Sequence, residues 1–162
     1  MSDAHKLSID SGALYSLLVP LEQMRLIVPR DCVAEVVGWD AARHARRDAH
    51  TPWLMGKLPW GDVEVPVISF EGLCGINVEP PAHRARVVLM RCLGDAFSPG
   101  YFGILTAGFP QLVRVSAEVL VADEQSNWPA SAPVLCQLRM VGQSPVIPDL
   151  ELLEHQLAET AA

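Results

Sequence analysis

Lysine is scarce in this sequence: Lys6 and Lys57 are the only two lysines among 162 residues. Lysine and arginine together number 12 against 19 aspartates and glutamates, which gives a formal net charge of -7. Proteins whose main function is to bind nucleic acid need a dense basic face, so this composition excludes a dedicated nucleic-acid-binding protein. No glycine-rich stretch ends in Gly-Lys-Ser or Gly-Lys-Thr, which excludes a P-loop nucleotide site.

Long apolar runs, a leader and paired cysteines are also missing. No stretch reaches the ~18 uninterrupted apolar residues of a membrane helix, so we expect no direct membrane insertion. The first residues lack the basic and then apolar pattern of a secretory signal. No Cys-x-x-Cys pair occurs, which favours a reduced, cytoplasmic protein. The cysteines are Cys32, Cys74, Cys92 and Cys136.

Apolar residues and turn formers are abundant. Half of the residues are apolar, and a chain of this length buries about 70% of its unfolded surface. We therefore expect a single self-sufficient domain over residues 1–162, with flexible termini. Thirteen prolines and eleven glycines interrupt the chain throughout, which disfavours long helices and predicts a mainly β fold.

The N-terminal third carries a hairpin pattern and a helical pattern. Apolar runs at 14–20 and 24–29, joined by a short turn, predict a β-hairpin. Residues 30–37 carry apolar side chains at positions 32, 33, 36 and 37. This spacing predicts a short helix with Asp31 as its cap.

A second helix is predicted at the C-terminal end of the chain. Leu150, Leu153 and Leu157 recur at helical spacing, with Asp149 placed to cap the first turn. We expect one face of this helix to pack on the β structure.

A short internal sequence repeat divides the chain into two halves. Pro66-Val67-Ile68 and Pro145-Val146-Ile147 each precede a helical turn and follow a proline-led strand. The recurring order of strand, glycine turn, strand and helical turn favours two related barrels. We predict two small, related β-barrels with short helices, over about residues 12–80 and about 84–155.

No catalytic constellation is evident in the sequence. All histidines occur in polar or terminal stretches, where a general base would lack orienting contacts. The cysteines have apolar neighbours, which is typical of buried structural thiols. We therefore predict no enzyme activity, no cofactor and no metal. The histidines are His5, His44, His50, His83 and His155.

One stretch of the chain, from Arg43 to His50, is locally basic. Such a run is typical of a solvated surface loop, and we assign it no chemistry. Its two histidines fall on opposite faces of a helix, which argues against a metal site.

Two tryptophans are expected to differ in exposure. Trp53 begins a predicted strand and is expected in the core. Trp60 precedes Gly61 at a turn, where we expect it to be exposed.

The order of these elements resembles that of the CheW-like domain, over roughly residues 12 to 155. The resemblance rests on the hairpin at 14–29, Cys32-Val33-Ala34-Glu35-Val36, the Gly56 to Gly61 turn before Val65-Pro66-Val67-Ile68-Ser69-Phe70, Phe102-Gly103-Ile104-Leu105, and Pro145-Val146-Ile147-Pro148-Asp149-Leu150.

The resemblance implies a fold of two five-stranded SH3-like β-barrels with short helices, and the role of a non-catalytic scaffold in a bacterial chemosensory array. Such domains couple a methyl-accepting chemoreceptor to the regulatory domain of a CheA-type histidine kinase. The implied partners are therefore the cytoplasmic tip of the receptor and the kinase domain, in a chemotaxis or a twitching-motility pathway driven by type IV pili. The implied location is the cytoplasm.

The resemblance also implies which residues contact partners. Val33 corresponds to a position near the receptor-facing groove. Gly56, Leu58 and Gly61 correspond to a strand and turn associated with partner contacts. The family usually has Arg-Gly at that turn, whereas this chain has Trp60-Gly61, and an exposed tryptophan suits an apolar contact as well as arginine suits a charged one.

Two further departures indicate a divergent branch of the family. The family's Pro-Val-x-Asp-Leu is replaced by Pro66-Val67-Ile68-Ser69-Phe70, and its aspartate in the Gly-Ile-x-x-Asp strand is replaced by Ala107. Divergence of this kind is similar to that of the ChpC type of type IV pilus chemosensory clusters.

Two other classes of function remain open at this point. One is a small-barrel thiol enzyme or small-molecule-binding module that uses a cysteine, which rapid labelling of one thiol at neutral pH would support. The other is a self-associating structural module, which oligomerisation of the isolated protein would support.

Overall fold

The computed structural model describes residues 13–46, 48–78, 81, 83–116, 121–123 and 127–161. The expectation of flexible termini falls on residues 1–12 and 162, which lie outside the described residues. In the described part no helix is long and apolar enough to cross a membrane.

The described chain forms mainly β-strands, which confirms the predicted fold class. The strands are β1 (Ala13–Pro20), β2 (Arg25–Pro29), β3 (Val33–Gly38), β4 (Leu54–Trp60), β5 (Val63–Ile68), β6 (Arg86–Arg91), β7 (Tyr101–Thr106), β8 (Gln111–Ser116), β9 (Val121–Ala122), β10 (Val134–Arg139) and β11 (Val146–Pro148). The helices are α1 (Ala41–His44), α2 (Phe70–Leu73) and α3 (Leu150–Ala161), with a 3-10 turn at Arg30–Cys32.

The strands form two sheets. One sheet has five strands in the order β3-β6-β7-β5-β4, as predicted for each barrel. The other has six, in the order β8-β1-β2-β11-β10-β9. The additional strand is β9, whose two residues pair with Leu138 and Arg139 of β10.

Each sheet takes strands from both halves of the chain, so the predicted assignment of one barrel to about 12–80 and the other to about 84–155 does not match the strand pairing. Hairpin β4–β5 joins hairpin β6–β7 through a parallel ladder, Val67 beside Gly103. Hairpin β10–β11 joins hairpin β1–β2 in the same way, Val146 beside Leu26. Because strands of one half pair with strands of the other, apolar strand faces are buried that would stay uncovered if each half formed a sheet by itself.

The internal repeat itself is present in the structure. The backbone N–H of Ser69 donates to the carbonyl of Trp53 over 2.7 Å, and that of Asp149 donates to the carbonyl of Pro133 over 2.8 Å. Each strand β5 and β11 then leads into a helix, α2 or α3. The two halves are therefore built alike and exchange their hairpins.

The described residues form three apolar cores in this arrangement. A shared core lies between the sheets and α3, and each sheet also curls around a smaller core of its own. Side chains alternate between them, as a strand buried on both faces requires. On β2, Leu26 and Val28 enter the shared core and Ile27 enters the core of the six-stranded sheet.

The C-terminal helix is confirmed and completes the shared core. Leu150, Leu153 and Leu157 are all buried there. Asp149 caps the helix, since its Oδ1 accepts a hydrogen bond from the backbone N–H of Leu152 at 3.1 Å.

The helix predicted at residues 30–37 is wrong: a 3-10 turn is followed by strand β3. A bulge interrupts the pairing of β3 with β6 between Val33 and Glu35. Because the bulge inserts one residue, Val33 and Val36 both face the shared core although they are three positions apart. This spacing mimics one face of a helix in the sequence.

Candidate interaction site

The structure places the five predicted contact residues on the two edge strands of the five-stranded sheet. Val33 begins β3, and Gly56, Leu58 and Trp60 lie on β4, with Gly61 in the turn that follows. Strands β3 and β4 occupy opposite ends of the strand order. The sheet curls so that Trp60 of β4 reaches Glu35 of β3 across these two ends.

Trp60 joins the two edges of the sheet. Its indole Nε1 donates a hydrogen bond to Oε2 of Glu35 on β3 at 2.7 Å. Its ring meets that of Tyr101 on β7 edge-on, with centroids 4.8 Å apart and an angle of 67°. We call Glu35, Trp60 and Tyr101 the Trp60 cluster.

Trp60 is half-buried rather than exposed, which corrects the expectation from its place beside a turn. It packs against the core of the five-stranded sheet together with Tyr101. One part of the indole therefore stabilises the barrel, and the remainder is available at the surface. Trp53 is also half-buried, at the margin of the shared core in which we expected it.

Gly61 forms the tip beside this cluster. Trp60 pairs directly with Val63, so Gly61 and Asp62 make a two-residue hairpin turn. Gly61 has a φ of 59° and is exposed, as the mirror-image turns of such hairpins require of a glycine. A partner approaching the Trp60 cluster would meet this turn.

Gly56 and Leu58 shape the strand rather than its surface. Leu58 is buried, 6% exposed, in the core of the five-stranded sheet. Gly56 is buried under α1, and a Cβ there would collide with the backbone carbonyl of His44. Val33 is half-buried against the shared core. Among the predicted residues, Val33, Trp60 and Gly61 keep accessible surface, whereas Gly56 and Leu58 are buried.

Sequence reasoning missed two buried glutamates that tie the sheets together. Glu71 of α2, 7% exposed, accepts hydrogen bonds from the backbone N–H groups of Glu22 and Gln23 in the β1–β2 turn, at 3.1 and 2.8 Å. Glu154 of α3, 2% exposed, accepts from Leu93 and Gly94 after β6, at 2.6 and 3.1 Å.

The two glutamates lie on corresponding helices of the repeat but one turn apart, because Glu71 comes two residues after Ser69 and Glu154 five residues after Asp149. Each sits on the helix that follows the Pro-Val-Ile segment and holds the turn of a hairpin from its own half. In the sequence each of them is a carboxylate within an apolar helical stretch. Such a residue normally lies on the solvent-exposed face of its helix. Only the folded chain shows that backbone donors surround these carboxylates.

Cys32, Cys74 and Cys92 have the environment of structural thiols. Burial, reinforced by Glu71, raises the pKa of Cys74 to about 12. Burial, reinforced by Glu154, raises the pKa of Cys92 to about 12. Burial, followed by the charge of Asp31, also raises the pKa of Cys32. A nucleophilic cysteine needs a lowered pKa, so these thiols do not support the thiol-enzyme alternative.

No group of three or more histidine, cysteine, aspartate or glutamate side chains placed to hold a metal ion occurs within the described ranges.

Comparison with solved structures finds the same fold in the scaffolding protein TtCheW from Thermoanaerobacter tengcongensis. The match has a TM-score of 0.64 and 14% sequence identity, and it covers 83% of this chain and 88% of that one. No curated protein matches the sequence significantly. The family model of the CheW-like domain matches residues 16–154. This span runs from β1 into α3 and includes both sheets and the Trp60 cluster, and the chain therefore belongs to the CheW-like domain family.

Proposed function

We propose that this protein is a non-catalytic cytoplasmic adaptor that couples a methyl-accepting chemoreceptor to a CheA-type histidine kinase. The observation that carries the proposal is the family match over residues 16–154, nearly the whole described fold. Its fold is also that of a protein described as a scaffold. An adaptor works by presenting surfaces in a fixed relative geometry, and the core shared by both sheets provides such rigidity.

We propose the Trp60 cluster and the Gly61 turn as a contact surface for a partner. A half-buried indole held by a hydrogen bond and an aromatic neighbour is preorganised, which limits the entropy lost on binding. Aromatic side chains are frequent at the energetic centres of interfaces. Within this proposal Trp60 and Gly61 make contact, Val33 borders the surface, and Gly56 and Leu58 hold β4 in place.

The binding partners can be tested directly with purified components. We expect the protein to bind the regulatory domain of a CheA-type kinase and the cytoplasmic tip of a chemoreceptor, measured by calorimetry or co-sedimentation. Absence of binding to both at high micromolar concentration would overturn the adaptor proposal.

A charge change at the turn tests the contact surface. Asp62 is exposed beside Gly61, so Asp62→Lys should leave the thermal midpoint unchanged and weaken binding of the partner that docks there by about tenfold. Glu151→Lys, an equal charge change on the exposed side of α3, is the control and should bind as the parent protein does. Equal binding by both variants would place the contact elsewhere.

We further propose that the output is type IV pilus motility. Support comes from the departures at Trp60, at Ser69-Phe70 and at Ala107, which resemble the divergence of the ChpC type. The kinase domain of a pilus cluster should then bind more tightly than that of a flagellar cluster. The reverse order of affinities would contradict the assignment to pili and leave the adaptor role intact.

A further inference from the structure

A basic groove lies between α1 and β4. It has a volume of about 480 Å³ and is lined by Arg43, His44, Arg46, Lys57, Pro59 and Glu64. It collects three lysine and arginine side chains against a single carboxylate, although the whole chain carries 12 basic and 19 acidic residues. We call it the α1–β4 groove.

A close backbone crossing creates the groove. Ala45 forms an isolated β-bridge with Gly56, and the backbone N–H of Arg46 donates to the carbonyl of Met55 at 2.9 Å. The chain can approach this closely because position 56 has no Cβ, which would strike the carbonyl of His44. The crossing brings the basic residues of α1 to Lys57, which follows Gly56 on β4.

His44 is fixed as a hydrogen-bond donor. It is 9% exposed, and its Nδ1 accepts a hydrogen bond from the backbone N–H of Asp40 at 3.1 Å. The ring also lies against Trp39, with centroids 5.4 Å apart. In the neutral imidazole the proton therefore resides on Nε2, which can only donate.

The Arg46 guanidinium is held at the groove by its own backbone. Its Nη1 donates to the carbonyl of Ala45 at 2.8 Å and to that of Arg43 at 3.4 Å. The groove is thus lined by donors from Arg43, His44, Arg46 and Lys57, with Glu64 as its acceptor.

We propose that the α1–β4 groove binds a small phosphate-bearing anion. Guanidinium groups bind phosphate oxygens through paired donors, and a lysine adds a compact positive charge. The volume is within the range of small-molecule sites. The overall charge of -7 repels a long polyanion, whereas a compact anion responds to the charges within about 8 Å, one Debye length at physiological salt.

The test titrates the full-length protein with inorganic pyrophosphate by calorimetry at physiological ionic strength, where distant charges are screened. We expect saturable binding with one site. Arg43→Gln and Lys57→Gln should each weaken it by about tenfold, since each removes a charge-assisted contact. Glu64→Gln should tighten it several-fold, because it removes the one negative charge of the groove.

Matched controls separate a site from general electrostatics. Arg114→Gln on β8 and Arg139→Gln on β10 remove exposed charges from the other sheet and should leave the affinity unchanged within about twofold. Binding that is weakened equally by controls and groove variants would overturn the proposal, as would no saturable binding at millimolar pyrophosphate. Binding of an acidic protein partner, lost in the groove variants while pyrophosphate fails to bind, would also overturn it. Each of these three results leaves the adaptor role untouched.

Discussion

Trp60 shows how a single side chain combines a structural and a surface role. Its indole reaches from β4 to Glu35 on β3 and packs on Tyr101. The place beside Gly61 predicted an exposed residue because turns are usually at the surface. The prediction failed because the curl of the sheet brings a second edge strand against the indole, and no local pattern encodes that contact.

We expect Trp60→Ala to destabilise the protein by about 2 kcal/mol, through loss of the aromatic pair and of the hydrogen bond. Trp60→Phe keeps an aromatic ring and should lose about 1 kcal/mol. Urea unfolding measures both. An unchanged unfolding midpoint in Trp60→Ala would mean that the cluster does not hold the two edges together.

The raised pKa values of Cys74 and Cys92 predict a loss of stability in alkali. Each rises from an ordinary value of 9.0 to about 12, so the unfolded chain loses these protons at lower pH than the folded protein. The stabilisation is complete below pH 9 and is lost as the pH rises from 9 towards 12. Cys74→Ala/Cys92→Ala should therefore show a shallower decline of unfolding free energy over this range.

As controls for this measurement, the single variants Cys74→Ala and Cys92→Ala should each give a slope between those of the parent protein and the double variant. Identical slopes in the parent protein and the double variant would contradict the assignment. At neutral pH, Cys74 and Cys92 should also react slowly with thiol reagents in the folded state.

At the scale of elements, the helices α2 and α3 each hold a hairpin turn through one buried carboxylate. Glu154 accepts two backbone hydrogen bonds from the segment after β6. Because α3 also fills the shared core, these bonds fix the five-stranded sheet to the helix that follows the six-stranded one. The link explains why a charged residue is tolerated at 2% exposure.

We expect Glu154→Gln to cost about 2 kcal/mol, because the amide offers one acceptor to two backbone donors and leaves one of them unsatisfied. Hydrogen exchange of the Leu93 and Gly94 amides should accelerate before global unfolding. Glu151→Gln, on the exposed side of the same helix, should be neutral. Unchanged protection of Leu93 and Gly94 in Glu154→Gln would refute the role.

The elements themselves were largely predictable. Hairpin β1–β2, the repeat and α3 with its Asp149 cap follow from alternation, turn residues and helical spacing, which are local properties. Strand β3 was mistaken for a helix because its bulge shifts the alternation, and a bulge is set by the partner strand. The burial of Gly56 and Leu58 was not predictable either, because it depends on how α1 and the core of the five-stranded sheet pack against β4.

At the scale of the whole molecule, the exchange of hairpins makes the two sheets interdependent. Neither half of the chain can complete a sheet, since each five- or six-stranded order includes strands from both. The shared core is likewise lined from both halves. The protein should therefore unfold as one cooperative unit, with coincident transitions by fluorescence and circular dichroism.

Splitting the chain after Pro81 tests this interdependence. We expect neither fragment to show cooperative unfolding alone, and an equimolar mixture to regain the sheet signal and a single transition. A fragment that folds by itself would show that one half can satisfy its own strand edges. The intact chain supplies the reference transition.

The sequence by itself determined the class of this protein: a β-rich domain with an internal repeat, a closing helix and the ordered segments of the CheW-like family. These properties follow from the hydrophobic periodicity, the turn residues and the order of the segments. Each of these depends on residues that are close together in the sequence. Tertiary structure decided which hairpin joins which sheet, that Trp60 closes a barrel edge, that two glutamates are buried, and that a basic loop meets Lys57 in a groove. Those outcomes depend on contacts between residues far apart in the chain, where burial and backbone hydrogen bonds select one pairing among several that the local patterns allow.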